Sequence, residues 1–75
     1  MIIVSQDRLS VINFDNIAIF DANISERPNQ IVATYPGGKG IPIGKYKDDA
    51  RLKEVIDEFR QAYWDGKKIF YMPKE

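Results

Sequence analysis

Neither cysteine nor histidine occurs in this chain of 75 residues. Without cysteine there are no disulfides and no thiolate metal sites. Without histidine the commonest neutral metal ligand and the usual general base are missing. The remaining routes to catalysis are paired carboxylates, an activated serine or lysine, or a metal held by carboxylates. The acidic residues in turns and on the predicted helix suit ordinary structural roles, so we predict a protein that is not an enzyme and uses neither metal nor cofactor.

An excess of one charge is also missing, because eleven basic residues balance eleven acidic ones. Proteins that coat nucleic acids normally carry a basic excess, so generic DNA or RNA binding is not expected. The apolar start Met1–Val4 is too short for a signal peptide or a membrane span. We therefore expect a soluble cytoplasmic protein, because the lack of cysteine fits reducing conditions.

The small size of the chain limits its architecture to one domain, residues 1–75. A chain this short buries about 60% of its unfolded surface, so its core is barely large enough to fold alone. Small domains usually add disulfides, a metal or a partner subunit. Only tight packing or self-association is open to this chain.

Short apolar stretches separated by turn residues predict five strands in the first two thirds of the chain. The third is followed by a polar break from Asn23 to Asn29, and the fifth contains Pro42, which places that strand at a sheet edge. The predicted strands are Ile2–Val4, Leu9–Phe14, Ile17–Ala22, Gln30–Tyr35 and Ile41–Tyr46.

The hydrophobic period then changes from two to 3.6, which predicts one amphipathic helix from about Asp49 to Trp64. Asp48 or Asp49 suits its N-cap, and Gly66 suits the position after its C-cap. The residues expected on its buried face are Leu52, Val55, Ile56, Phe59 and Tyr63. With a short final strand, Ile69–Met72, the sequence predicts an α+β domain in which a small antiparallel sheet packs on one helix.

Two predicted strands are apolar on both faces, namely Ile17–Ala22 and Ile69–Met72. One helix covers only one face of a small sheet, so the second face must curl into a partial barrel or meet another subunit. We expect a homo-oligomer. The residues predicted at its interface are Phe20, Trp64, Phe70 and Tyr71.

The best candidate for a ligand site combines a glycine-rich turn with the lysines that follow it. Glycine amides can approach an anion, lysines add positive charge, and tyrosines offer faces on which a base could stack. The spacing is not that of a P-loop, and a plain hairpin with solubilising lysines is an equally open interpretation. The predicted ligand residues are Arg8, Tyr35, Gly37, Gly38, Lys39, Gly40, Lys45, Tyr46 and Lys47.

Five sequence blocks occur in an order that resembles a family of small uncharacterised proteins from Gram-positive bacteria, their prophages and phages. These blocks are IVSQD at 3–7, NFDNI at 13–17, GKY at 44–46, KEV at 53–55 and YMP at 71–73. The resemblance implies a small strand-rich domain with one helix, often encoded on mobile elements, and implies no catalytic residues. By type alone, the chain is also similar to phage anti-defence sponges, which sequester the nucleotide signals of CBASS or Thoeris immunity.

Two functions from different classes follow as hypotheses. The first is a non-enzymatic phage or prophage accessory protein that sequesters a small anionic ligand, such as an immune cyclic nucleotide, at an oligomer interface. The second is an adaptor or inhibitor that binds a host protein through an apolar sheet face and the C-terminal aromatic residues.

Overall fold

The computed structural model describes residues 1–23 and 28–75, so the predicted break from Asn23 to Asn29 lies partly outside the described residues. The α+β class is confirmed. The elements in chain order are β1 (Ile2–Val4), β2 (Val11–Asn13), a 3₁₀ turn (Phe14–Asn16), β3 (Ile19–Asn23), β4 (Gln30–Thr34), β5 (Gly40–Lys45), α1 (Asp49–Trp64) and β6 (Ile69–Tyr71).

The second strand ends earlier than predicted because the chain turns at Asn13. The Asn13 side chain accepts a hydrogen bond from the amide of Asp15 at 3.0 Å and caps the 3₁₀ turn. An Asx-type cap of this kind competes with continued strand pairing. Phe14 therefore leaves the sheet, and its ring packs against Phe20 and Phe59 instead.

The strands form two three-stranded sheets rather than the single sheet we predicted, with the orders β2-β1-β6 and β3-β4-β5. A second difference is that β6 pairs with β1 in parallel, with Ile3 opposite Phe70. Parallel neighbours need a long crossover connection, and the stretch from β3 to α1 supplies it. Hydrophobic alternation predicts where strands lie but carries no information on which strand neighbours which, so this part of the prediction was wrong.

Gln6 joins the two sheets. Its amide donates to the Ile43 carbonyl at 2.8 Å, beyond the end of β1. Its side chain also accepts from the Lys45 amide at 2.7 Å and donates to the Lys45 carbonyl at 2.9 Å. A side-chain amide thus makes the paired hydrogen bonds that a neighbouring strand would make, and it holds the end of β5 against the first sheet.

The core forms where α1 packs on both sheets. Leu52, Val55 and Phe59 are buried and Ile56 is partly buried, as the helical period predicts. Phe59 stacks on Phe20 with ring centroids 4.4 Å apart and meets Phe70 edge-on at 5.4 Å. The helix prediction is correct except at Tyr63, whose side chain is 57% exposed.

Both ends of α1 carry the caps that the sequence predicts. The Asp48 carboxylate accepts from the Arg51 amide at 2.8 Å, so Asp48 is the N-cap. After the helix, Gly66 adopts φ +73° and Lys67 donates back to the Ala62 carbonyl. This is the left-handed glycine ending that the position of Gly66 predicts.

Pro42 lies on an edge strand, as expected from its missing amide hydrogen. β5 is the last strand of its sheet, and Pro42 is opposite Val32 beside a register shift between Ile31 and Val32. An irregularity is where a sheet tolerates proline. Among the described residues, no helix is long and apolar enough to cross a membrane.

Candidate anion-binding cleft

The predicted ligand residues are separated by the length of β5. Gly40 is opposite Thr34 at one end of the β4–β5 hairpin, and Lys45 is opposite Gln30 at the other. Five residue steps along a strand span about 16 Å. The hairpin therefore does not bring Lys39 to Lys45 and Lys47. We call the two ends of β5 the turn end and the cleft end.

The turn end is closed by its own hydrogen bonds. Gly38 donates to the Tyr35 carbonyl at 3.0 Å, and Tyr35 donates to the Lys39 carbonyl at 2.8 Å. Pro36 followed by Gly37 at φ +103° is the pattern of a type II turn. The Gly38 amide is thus already paired inside the turn, and the glycines are explained by backbone conformation.

Arg8, another predicted ligand residue, has a structural role. Its Nη1 donates to the carbonyls of Ser5 at 3.0 Å and Met72 at 2.8 Å. Its guanidinium lies over the Tyr71 ring, 5.3 Å from the centroid. Arg8 therefore fastens the segment after β6 to the β1–β2 turn.

At the cleft end, by contrast, basic residues surround an open cleft of about 530 Å³. It contains two of the predicted lysines together with two basic residues that the sequence did not single out. The residues that line it are Lys45, Tyr46, Lys47, Arg51, Lys74 and Glu75. Four basic side chains and one carboxylate thus meet in a chain whose overall charge is balanced.

Tyr46 forms a buried wall of this cleft and does not offer an open face for stacking. The residue is 4% exposed, and its hydroxyl donates to the Pro73 carbonyl at 2.8 Å. A Cβ at position 44 would lie 2.8 Å from a ring carbon of Tyr46, so only glycine leaves room for the ring. Burial raises the pKa of Tyr46 to about 12, although Arg51 and Arg8 act in the opposite direction. The tyrosine is therefore neutral at physiological pH.

Arg51 lines the cleft but is largely neutralised by acidic neighbours. Its Nη1 lies 3.1 Å from Glu54 and 3.0 Å from Glu58. The hydrogen bond to Glu54 is the largest cause of the raised pKa of Arg51. No carboxylate in residues 1–23 or 28–75 lies within ion-pair distance of Lys45, Lys47 or Lys74. These three lysines are the charges available to a ligand.

The segment after β6 is held along its main chain, and this brings Lys74 to the cleft. Each of four consecutive main-chain oxygens, those of residues 72–75, accepts a hydrogen bond from a different side chain. The donors are Arg8 to Met72, Tyr46 to Pro73, Gln6 to Lys74 and Arg51 to Glu75, all at 2.8–2.9 Å. No local sequence signal points to Lys74 or Arg51, because these contacts join residues far apart in the chain.

The predicted interface residues fall into two groups. Phe20 and Phe70 are partly buried and pack against Phe59 within the same chain. Their burial therefore requires no partner. Trp64 is 86% exposed and Tyr71 is 57% exposed. These two aromatic side chains are the ones that the fold leaves open to a partner.

Four of the six residues that line the cleft are basic. Among the described residues, no group of three or more Asp and Glu side chains is placed to hold a metal ion. Comparison of the chain with protein-family models, with curated proteins and with solved structures finds no match.

Proposed function

We propose that this protein binds a small phosphate-bearing anion in the cleft at the cleft end of β5 and does not convert it. The observation that carries the proposal is the meeting of Lys45, Lys47 and Lys74 around one cleft beside Arg51. Several donors that converge in a partly dehydrated site bind an anion far better than one exposed lysine.

The number of lysines favours an anion with more than one negative charge over a single carboxylate. Lysine acts as a compact point charge on a flexible stem. The Nη1 of Arg51 is already occupied by Glu54 and Glu58. Three lysines around one cleft suit a group with more than one negative charge, such as a nucleotide phosphate.

In biological terms, the protein would sequester this anion in the cytoplasm of a bacterial host. The lysines of the cleft can hold an anion by charge alone, and the Tyr46 beside them is neutral. The resemblance to phage and prophage proteins supports a role as an anti-defence protein that withdraws an immune cyclic nucleotide.

Calorimetric titration tests the proposal directly. The probes are tripolyphosphate, 3′,3′- and 2′,3′-linked cyclic dinucleotides and cyclic ADP-ribose isomers. We expect at least one to bind the parent protein, and its affinity to fall on substitution of Lys45→Ala with Lys47→Ala. We also expect the affinity to fall as salt is raised, because exposed charges are screened. After denaturation, the ligand should be recovered unchanged.

Lys67→Ala with Lys68→Ala is the matched control. It removes the same charge from two adjacent exposed lysines outside the cleft. Equal loss of affinity in both double variants would show that only net charge matters, and absence of binding by any probe would reject the proposal. A chemically altered ligand would show that the protein is an enzyme.

A second candidate function is an adaptor that binds another protein through the outer face of the β2-β1-β6 sheet. Ile3 and Ile12 point into the core, whereas Val11, Ile69 and Tyr71 on the opposite side are 69%, 48% and 57% exposed. In register, Val11 and Tyr71 flank Val4 across the three strands. Exposed apolar surface of this kind is typical of interaction sites.

The substitution Ile69→Lys tests this candidate without changing the cleft. Ile69 lies on the outer sheet face, so its replacement leaves the phenylalanine cluster around Phe59 intact, unlike a change at Phe20 or Phe70. If the face joins two copies of the chain, light scattering of the parent at tens of micromolar should give a multiple of the chain mass, and the variant should give the mass of one chain. A monomeric parent would reject self-association.

A further inference from the structure

A second, smaller cleft lies on the other side of Lys45. It has a volume of about 170 Å³ and forms between the β1–β2 turn and β5. Its lining is largely polar, and Pro42 and Ile43 add apolar surface. The lining residues are Ser5, Gln6, Asp7, Ser10, Gln30, Pro42, Ile43, Gly44 and Lys45.

Gln30 lines this small cleft and carries an unsatisfied acceptor. Its Oε1 is buried and has no hydrogen-bond partner among residues 1–23 and 28–75, so a ligand in the cleft bonds it only after the side chain turns outward. A buried polar atom without a partner costs the free energy of its lost hydration. A ligand that brings a hydrogen-bond donor to Gln30 recovers that free energy, and a ligand without one does not.

Asp7 gives the same cleft a second acceptor. Its Oδ1 accepts from the Ser5 hydroxyl at 2.6 Å and from the Leu9 amide at 2.9 Å. The Ser5 hydrogen bond is the main reason that the Asp7 pKa is lowered, so the carboxylate is charged at neutral pH. The small cleft is therefore suited to a group that donates hydrogen bonds, whereas the larger cleft is suited to an anion.

The two clefts share a wall. Lys45 lines both of them. Gln6, which lines the small cleft, donates to the carbonyl of Lys74, which lines the large one. One molecule with a donor at one end and an anion at the other could therefore contact both clefts across Lys45.

We propose that the ligand is a nucleotide whose base carries an exocyclic amino group, with the phosphate in the lysine cleft and the amino group at Gln30 in the small cleft. This inference rests on the proposed anion-binding function and adds the class of base. Adenine, cytosine and guanine carry an exocyclic amino group, on C6, C4 and C2 respectively. Apolar contact from the exposed Pro42 takes the place of stacking on Tyr46, whose ring is buried.

The test compares ligands that differ in one group. Adenosine 5′-monophosphate has the amino group, purine riboside 5′-monophosphate lacks it, and inosine 5′-monophosphate replaces it with an oxygen. On the parent protein we expect the adenosine compound to bind about tenfold more tightly than the other two, because only it carries a hydrogen-bond donor on position 6 of the base. Tripolyphosphate serves as the probe of the lysine cleft alone.

Gln30→Met checks the residue, since it keeps the length of the side chain and removes the acceptor. We expect it to bind adenosine and purine riboside 5′-monophosphates equally and to bind tripolyphosphate like the parent. Because the ligand comparison on the parent needs no variant, a Gln30→Met protein that fails to fold leaves the test decisive.

The outcomes separate the two proposals. Tripolyphosphate binding with equal affinity for all three nucleotides would overturn the base assignment and leave the anion-binding function standing. Tighter binding of the inosine compound would also overturn the assignment, because it would require a donor at Gln30. If neither tripolyphosphate nor any nucleotide binds, both proposals fail.

Discussion

The two ends of β5 look alike in the sequence and differ in the folded protein. Each combines glycine, lysine and tyrosine within a few residues: Tyr35 to Gly40 at the turn end and Gly44 to Lys47 at the cleft end. At the turn end the polar main chain pairs with itself across the turn. At the cleft end the glycine makes room for a buried tyrosine, and the lysines remain around an open cleft.

The difference shows that a glycine–lysine pattern does not by itself gather basic side chains around a cleft. The turn end has the single lysine Lys39. The cleft end receives Arg51 from α1 and Lys74 from the segment after β6. Convergence of several elements on one point places four basic side chains around the cleft.

Phe59→Ala should have the largest effect on stability. It should unfold both ends of β5 and so abolish the contrast between them. Phe59 is 5% exposed and contacts the rings of Phe14, Phe20 and Phe70. Loss of a buried phenylalanine ring costs about 3–5 kcal/mol of stability, which is a large share of what a domain of this size has. Urea unfolding should show a much lower midpoint, and an unchanged midpoint would mean that the ring is not part of the core.

Gly44→Ala should damage the cleft end selectively. Its Cβ would lie 2.8 Å from Cε2 and 2.9 Å from the hydroxyl of Tyr46, and such overpacking costs about 1–3 kcal/mol. Displacement of Tyr46 should also weaken tripolyphosphate binding. Gly38→Ala is the control: it is strained at φ +96° but meets nothing within 4 Å. It should lower the melting temperature and leave binding intact, and equal binding loss in both variants would contradict the separation of the two ends.

Tyr46→Phe should have a smaller and pH-dependent effect. It removes the hydrogen bond to the Pro73 carbonyl, worth about 0.5–1.5 kcal/mol. The pKa of Tyr46 is raised from 10.0 to about 12 in the folded state, so the folded state keeps the proton more tightly than the unfolded state. This contribution to stability is full below pH 10 and is lost as the pH rises towards 12. The free energy of unfolding, measured across that pH range, should fall less steeply for Tyr46→Phe than for the parent. Parallel curves would contradict the raised pKa of Tyr46.

Lys39→Ala should have the smallest effect of all. The side chain is exposed on a turn that its own main chain closes. Changes at such positions usually alter stability by less than about 0.5 kcal/mol. Calorimetry should find the same affinity for tripolyphosphate as in the parent. A strong loss of affinity would mean that the turn end is part of the ligand site.

Several parts of the fold could be predicted from the sequence because their causes are local. The apolar period of Leu52, Val55 and Phe59 defines the buried face of α1, and the caps at Asp48 and Gly66 lie within three residues of the groups they satisfy. Pro42 marked an edge strand because it lacks an amide hydrogen.

Only part of the candidate site could be predicted, because only part of it depends on neighbours in the sequence. Lys45 and Lys47 stand beside each other in the sequence, and both line the cleft. Arg8 and Lys39 were grouped with them by charge alone, yet the structure uses Arg8 to hold Met72 and leaves Lys39 at the far end of β5. Charge does not say which side chains will converge.

By itself, the sequence determined the α+β class, the helix with its caps and the lack of histidine and cysteine chemistry, since each depends on residue type or on contacts between near neighbours. Only the tertiary structure decided that β6 pairs in parallel with β1, that Gln6 bridges to β5, and that side chains from Gln6 to Arg51 hold the main-chain oxygens of residues 72–75. These contacts join residues 24 to 68 positions apart. Such contacts depend on the packing of the whole chain rather than on any local pattern.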